Sequence, residues 1–381
     1  MLRHRTAIGS FVVTTALVGA CFFADPANRL DSAFVDASSS SDAHSIDVHA
    51  PIDGSLPDSS VDDSGNKPGD AGDSSISCTG IDLSTDREHC GACTHSCFGT
   101  KCTDGLCEQV IVAPDEPPVS VFISDANNVY WALVRDNIRR LPVDGGLPIS
   151  LGVTGLPNGG LVESNGEVYW STRSQRIEHA SALAVGAVGQ LLTTSCYPQG
   201  EMAADATHVY WGDNCGPPDA KLWRAAKSTG VPELVATEGA PLSLGVRLLG
   251  GYLYWATGTT LRRRPVSGGN ATTVLALPSL YSFEVNADGI VFANAAGVRR
   301  VNLDGTGEAA LVTTAEARNV RVSGSQFFWS ESGGKIFRAE LPGGTNPIQL
   351  VQDASAMAPN FTVNNRYVYG TTGANVWRVP R

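Results

Sequence analysis

Between residue 129 and the C-terminus, one three-residue motif recurs seven times. The copies are Val129-Tyr130-Trp131, Val168-Tyr169-Trp170, Val209-Tyr210-Trp211, Leu253-Tyr254-Trp255, Ile290-Val291-Phe292, Phe327-Phe328-Trp329 and Val368-Tyr369-Gly370. Their third positions lie 39, 41, 44, 37, 37 and 41 residues apart. A period of about 40 residues holds four short strands and their turns, which is one propeller blade. Each repeat has an alternating apolar segment such as Val119–Ile123, a polar turn, and then the motif strand. A strand of form apolar-x-Arg-apolar follows, then a Gly-rich turn such as Asp144-Gly145-Gly146, then a short apolar strand. The last repeat begins near Asn360 and stops at Arg381 with only three strands. Residues 109–113 read like the fourth strands elsewhere, such as Pro232–Ala236, and are expected to complete that last blade and close the ring. The expected fold is all-β: a seven-bladed β-propeller over 108–381, preceded by a small disulfide-rich module (78–107) and a disordered acidic linker.

The acidity of the chain is concentrated ahead of the repeats. Residues 22–77 hold eleven Asp, no Glu, one Arg and one Lys, a net charge of −9 out of −11 for the whole chain. The propeller is left nearly neutral, with no basic patch for nucleic acid. Residues 31–77 contain no aromatic after Phe34. Such a stretch buries too little apolar area to offset chain entropy, so 21–77 is expected to be a disordered Asp/Ser-rich tether. It lacks the D-x-D-x-D-G spacing of a calcium loop. Arg3 and Arg5 precede a mostly apolar run from Ala7 to Ala20, too short to span a bilayer comfortably. The run ends in Leu17-Val18-Gly19-Ala20-Cys21, which resembles a bacterial lipobox. That resemblance implies a lipoprotein signal peptide over 1–20 and lipidation of Cys21, with anchoring to a membrane but no span. Phe22, rather than Asp, follows Cys21, which by analogy points to the outer membrane, periplasmic or surface-facing.

Six of the nine cysteines fall in one segment: Cys78, Cys90, Cys93, Cys97, Cys102 and Cys107. With His89 and His95 nearby, a zinc site competes with disulfides. An even count in a chain expected to be exported favours three disulfides and leaves their pairing open. The pattern C-x-G-x-D-L-x-T-D…C-G-x-C…C…C-x-x-G-x-C resembles a small Cys-rich module of surface lipoproteins in some Gram-negative bacteria. The resemblance covers about 30 residues and implies no activity. Gly91 and Gly105 suit tight turns between bridged cysteines.

The motif strand, followed by I-x-R and a DG turn, resembles YWTD-type propellers. The fourth motif position is Ala132, Ser171, Gly212, Ala256, Ala293, Ser330 or Thr371, never Asp, so that family's polar network does not carry over. A second ladder runs through Arg140, Arg224, Arg263, Arg300, Arg338 and Arg378, with His179 in the second blade. A residue repeated in nearly every blade belongs to the architecture. These guanidiniums are expected to pack on the tryptophans (Trp131, Trp170, Trp211, Trp255, Trp329) and to bond backbone carbonyls.

In a propeller the loops between second and third strands share a face with the loops between blades. Cys196 and Cys215 lie in one loop of each kind and are expected to form a disulfide. It would pin the long loop Asp213–Ala220 and mark the working face. Arg135, Arg173, Tyr197, Asp213, Tyr281 and Glu331 are the ligand-face candidates, with Asp136, Arg176, Asp219 and Glu316 on the same face. Aromatics among mixed charges suit an envelope protein or a glycan. The competing class is a metal-dependent hydrolase, lactonase or lyase with its ion in the channel. Glu163, Glu201 and Glu284 are the carboxylates near the inner strands, His179 and His208 stand apart, and no catalytic motif occurs. The expectation is a monomeric binding protein that needs no cofactor, no metal and no catalytic residue.

Overall fold

The computed structural model describes residues 78–116, 119–134, 137–153, 155–216, 220–344, 346–352 and 360–381. The signal peptide, Cys21 and the tether lie outside them, as do Arg135, Asp136 and Asp219. The described residues contain strands and no helix. Seven four-stranded antiparallel sheets follow one another in chain order, forming a seven-bladed propeller. In blades 1 to 6 the strands run consecutively from inner to outer. Blade 1, for example, uses Val119–Ser124, Asn128–Leu133, Asn137–Pro142 and Ile149–Val153. Blade 7 takes its first three strands from Phe361–Val363, Tyr367–Thr372 and Asn375–Pro380, and its fourth from Val110–Ala113. Val110 pairs with Arg378 and Ile111 with Trp377, so the ring closes by the expected strand.

The motif forms the second strand of every blade, and strand alternation explains its conserved order of sizes. Neighbouring residues point to opposite faces of the sheet, so the second and third motif positions contact different neighbouring blades. Tyr130 clusters with Trp170 of the next blade, while Trp131 clusters with Tyr369 of the preceding one. The same exchange joins Tyr210 to Trp255 and Phe328 to Trp377. The last copy ends in Gly370 because Trp377 on the adjacent strand fills the place a Cβ would take. The motif strands begin at tight turns. In blade 3, Asp205 accepts from the N–H groups of Thr207 and His208 (both 2.7 Å) and from the Tyr210 hydroxyl (2.7 Å). Burial pushes the Asp205 carboxyl up, but these donors hold it at about 2. Asp125 makes the same three contacts in blade 1.

The arginine ladder requires a correction. Arg140, Arg224 and Arg263 pair across strands with Tyr130, Tyr210 and Tyr254, so they share the tyrosine face rather than the tryptophan face. Two stack on tyrosines, Arg263 over Tyr252 and Arg378 over Tyr367. Their carbonyl bonds run from blade to blade. Arg140 donates to Ala182 (2.7 Å), Arg224 to Val266 (3.1 Å) and Arg263 to Leu303 (2.6 Å). Arg378 donates to Val143 (2.9 Å) and carries the same clamp across the seam between last and first blades.

The N-terminal module is held by Cys78–Cys93, Cys90–Cys102 and Cys97–Cys107. Every thiol of the cluster is thereby used, which removes the zinc alternative. Buried His95 turns its Nδ1 to the Cys90 carbonyl at 2.6 Å. Gly91 and Gly105 take φ values of +71° and +76° and touch backbone to backbone, leaving no room for a side chain. The module packs on blade 7, where Phe98 meets the edge of Tyr367 at 5.9 Å between centroids.

Candidate functional site

The inner strands of all seven blades line a central cavity of about 290 Å³. Ile123, Val162, Met202 and Val363 belong to its apolar lining, and Asp125, Glu163, Glu201, Arg247, Glu284 and Arg321 are its charged lining, the last four joined in one network. Glu201 comes from blade 3, Arg247 from blade 4, Glu284 from blade 5 and Arg321 from blade 6. Arg247 donates to Glu284 through Nε (2.9 Å) and Nη2 (3.0 Å), and also pairs with Glu201. Arg321 donates to Glu284 (3.0 Å) and reaches across to Glu201 (2.5 Å). The result is a closed ring of alternating charge. Burial pushes the Glu201 carboxyl up, and the two guanidiniums override it to hold the group below the usual carboxylate range. Burial opposes charge on Arg247 as well, yet the two carboxylates raise its affinity for the proton. Glu163, the third carboxylate anticipated here, accepts the Gly166 N–H at 2.8 Å and serves a turn.

Glu201 and Glu284 are thus engaged by an internal ion-pair network. Within the ring two carboxylates are matched by two guanidiniums and their oxygens already accept hydrogen bonds, while Asp125 and Glu163 add two further carboxylates to the cavity lining. Sequence reading found the two glutamates but missed the arginines. The available signal was register: Arg247, Glu284 and Arg321 each stand opposite the central motif residue of their blade.

The loop face behaves differently from its expected inventory. Cys196 and Cys215 are bridged, with Cα atoms 5.2 Å apart. Tyr197 beside the bridge is 51% exposed, and Tyr281 is 37% exposed with Arg318 over its ring at 5.2 Å. Arg173, Arg176 and Glu316 are exposed. Asp213 and Glu331, by contrast, are occupied internally. Asp213 is 1% exposed and accepts from the Trp223 indole (2.5 Å) and the Lys221 N–H (2.8 Å). Burial pushes its carboxyl up despite these bonds. Glu331 accepts from the Trp329 indole at 3.0 Å. Both stand two residues beyond a motif tryptophan, and a buried indole N–H needs an acceptor. A separate cleft of about 530 Å³ between the module and the outer strand of blade 6 gathers no converging charges; Lys101, Glu108, Gln109 and Gln352 border it.

No family model matches the chain, and no curated protein is similar to it. Solved structures are similar in fold. The structure of YCF48 bound to D1 peptide superposes with a TM-score of 0.55 at 11% identity, covering 72% of this chain and 95% of that one. The computationally designed Ika8 protein gives 0.50 at 12% identity, covering 72% and 99%. BamB from Moraxella catarrhalis gives 0.49 at 17% identity, covering 69% and 85%. At such identities the likeness is one of fold, and the fold this chain shares is the β-propeller.

Proposed function

We propose that the chain is a binding protein whose propeller docks a segment of a protein partner on the face that carries the Cys196–Cys215 bridge. The observation that carries this reading is the pair of exposed tyrosines, Tyr197 and Tyr281, on a face whose Asp213 loop is covalently pinned. Large amphipathic side chains held on rigid supports give much contact area at low entropic cost. A fold neighbour, YCF48, is bound to a peptide in its own structure, which is consistent with this use of the fold.

Purified protein should capture its partner from an envelope extract, and Tyr197→Ala with Tyr281→Ala should weaken that capture at least tenfold, the scale of aromatic hot spots. Equal capture by wild type and the double variant would sink the reading. Capture of sugar polymers rather than protein would assign the face to a glycan.

The same proposal places the protein in a bacterial envelope, lipid-anchored through Cys21 with the acidic tether as spacer. Its support is the charged and apolar pattern of residues 3–21 together with the four disulfides of the folded part. Cys21→Ser should move the protein from the membrane to the soluble fraction. An unchanged membrane fraction would remove the anchor.

A further inference from the structure

A buried indole N–H wants an acceptor, and the blades supply one from three positions. In blade 2 the acceptor stands directly opposite the tryptophan: Trp170 donates to Glu178 at 3.1 Å. In blade 4 it comes from the preceding blade: Trp255 donates to Glu238, seventeen residues earlier, at 2.9 Å. In blade 6 it lies two residues on: Trp329 donates to Glu331 at 3.0 Å. Blade 1 does not close the contact: buried Glu116 stands beside Arg139 at 3.7 Å, as Glu238 stands beside Arg262, but Trp131 Nε1 likewise has no hydrogen-bond partner among the described residues.

Blade 3 has lost all three. The residue opposite Trp211 is a second tryptophan, Trp223. The carboxylate two residues on, Asp213, is taken by the Trp223 indole. The position seventeen residues earlier holds Thr194, whose hydroxyl donates to the Cys196 carbonyl at 2.7 Å. Trp211 is 1% exposed, and its Nε1 has no hydrogen-bond partner among the described residues. In blade 6, Phe337 occupies the Trp223 position, brings no N–H, and leaves Glu331 to serve Trp329.

The unpartnered indole lines a slot of about 40 Å³, bounded also by Leu192, Thr194, Ser195, Trp223 and Pro232. The slot lies between blades 2 and 3, and Ser195 directly precedes the bridged Cys196. It has room for about one water or the head of a carboxylate, since a water takes roughly 30 Å³ in the liquid. Its donor is neutral and its walls carry hydroxyls. We propose that this slot is a subsite for an acidic side chain of the docked partner, whose carboxylate accepts the Trp211 N–H and completes the contact that blades 2, 4 and 6 make internally. A buried donor rewards the ligand that satisfies it and penalises one that does not, so the slot would discriminate Asp or Glu from apolar residues. The inference rests on the docking face proposed above and names the chemistry it selects.

The probe is acetate, titrated against the oxidised full chain with ¹⁵N-labelled tryptophan, with sodium chloride as the ionic control. The chain has seven tryptophans, and Trp211→Phe identifies the resonance in question. Acetate is expected to move the Trp211 indole proton saturably downfield while the other indoles stay in place. Thr194→Glu supplies a carboxylate from the blade 4 position and should abolish the response. Trp223→Phe copies blade 6, frees Asp213 for Trp211 and should abolish it too, in a variant whose blade retains a natural aromatic pair. A Trp211 resonance indifferent to acetate, equally responsive to chloride, or unaltered in its response by Trp223→Phe overturns the proposal. If acetate has no effect while capture still depends on Tyr197, the slot fails and the docking face stands. If acetate binds but the tyrosine variants capture normally, the docking reading fails instead.

Discussion

Replacing Arg321 with methionine is expected to destabilise the propeller by about 3–5 kcal/mol at neutral pH. The Arg321 side chain is largely buried and bonds both carboxylates of the channel ring. Its removal leaves Glu201 and Glu284 sharing Arg247 alone, and an uncompensated charge in a poorly solvated channel is the costly case. The melting temperature should fall by roughly 10 °C for a domain of this size. Replacing all four members with Met or Leu should cost far less, because the desolvation of every charge disappears with the pairs. The pH dependence has a definite sign. The Glu201 carboxyl is held below its usual range in the fold, so the unfolded chain binds its proton first as pH falls. The ring's contribution is therefore full above the unfolded value of about 4.3 and is lost as pH drops through the folded value. The gap between wild type and Arg321→Met should narrow below about pH 4. Chelator should change neither melting curve. A gap unaffected by acid would mean that the ring does not set stability, and a chelator-sensitive melting temperature would restore a metal to the channel.

What the sequence disclosed depended on whether a residue's role follows from its place in the repeat. The seven blades were legible because the motif strand is buried on both faces, which forces large apolar residues at a fixed interval. Closure was legible because three strands cannot finish a blade, and 109–113 had the right pattern. The Cys196–Cys215 bridge followed from topology, since strand order puts its two loops on one face. The charge ring followed only by half, its two glutamates being placed near the inner strands and its two arginines missed. Glu201 was placed near the inner strands even though it lies in an irregular stretch between Gln199 and Ala203, where the register shifts. Arg247 and Arg321 read as ordinary strand residues, because their one signal was register opposite the central motif residue, which shows only when blades are aligned together. Asp213 and Glu331 were assigned to the loop face because they end strands there. Their engagement depends on indoles that turn toward that end of the strand, a contact invisible without the tryptophan geometry. The arginine ladder failed on parity alone. Its carbonyl bonds were anticipated, but a residue opposite Tyr130 cannot share a face with Trp131.

A chain starting at residue 114 should lose far more stability than one starting at 108, although the two differ by only six residues. Both lack the disulfide module, and so both forfeit its contacts with the propeller, among them the Phe98–Tyr367 ring contact and the packing of Leu106–Cys107 on Ile348–Gln352. The shorter one also loses the strand Val110–Ala113 that completes blade 7. Ala113 is buried and Val112 packs on the same cluster as Trp131 and Tyr369. Counting roughly 1 kcal/mol per lost backbone hydrogen bond and 1–2 for each buried apolar side chain gives a cost of about 4 kcal/mol. That is a large share of the roughly 5–15 kcal/mol that holds a domain together. Loss of the strand also leaves Asn375–Pro380 as an unpaired edge, because this is the strand that Val110–Ala113 covers. Exposed edges of this kind recruit other chains. The Arg378 clamp and the Tyr369–Trp131 contact survive the truncation, so the ring should fray at its outermost strand rather than open through the channel. Hydrogen exchange should accelerate across residues 375–380 first, and size-exclusion chromatography should show oligomers for 114–381 and monomer for 108–381. If 114–381 remains monomeric and melts with 108–381, closure by the N-terminal strand contributes nothing, and the ring is held by its inter-blade aromatic exchanges and arginine clamps alone.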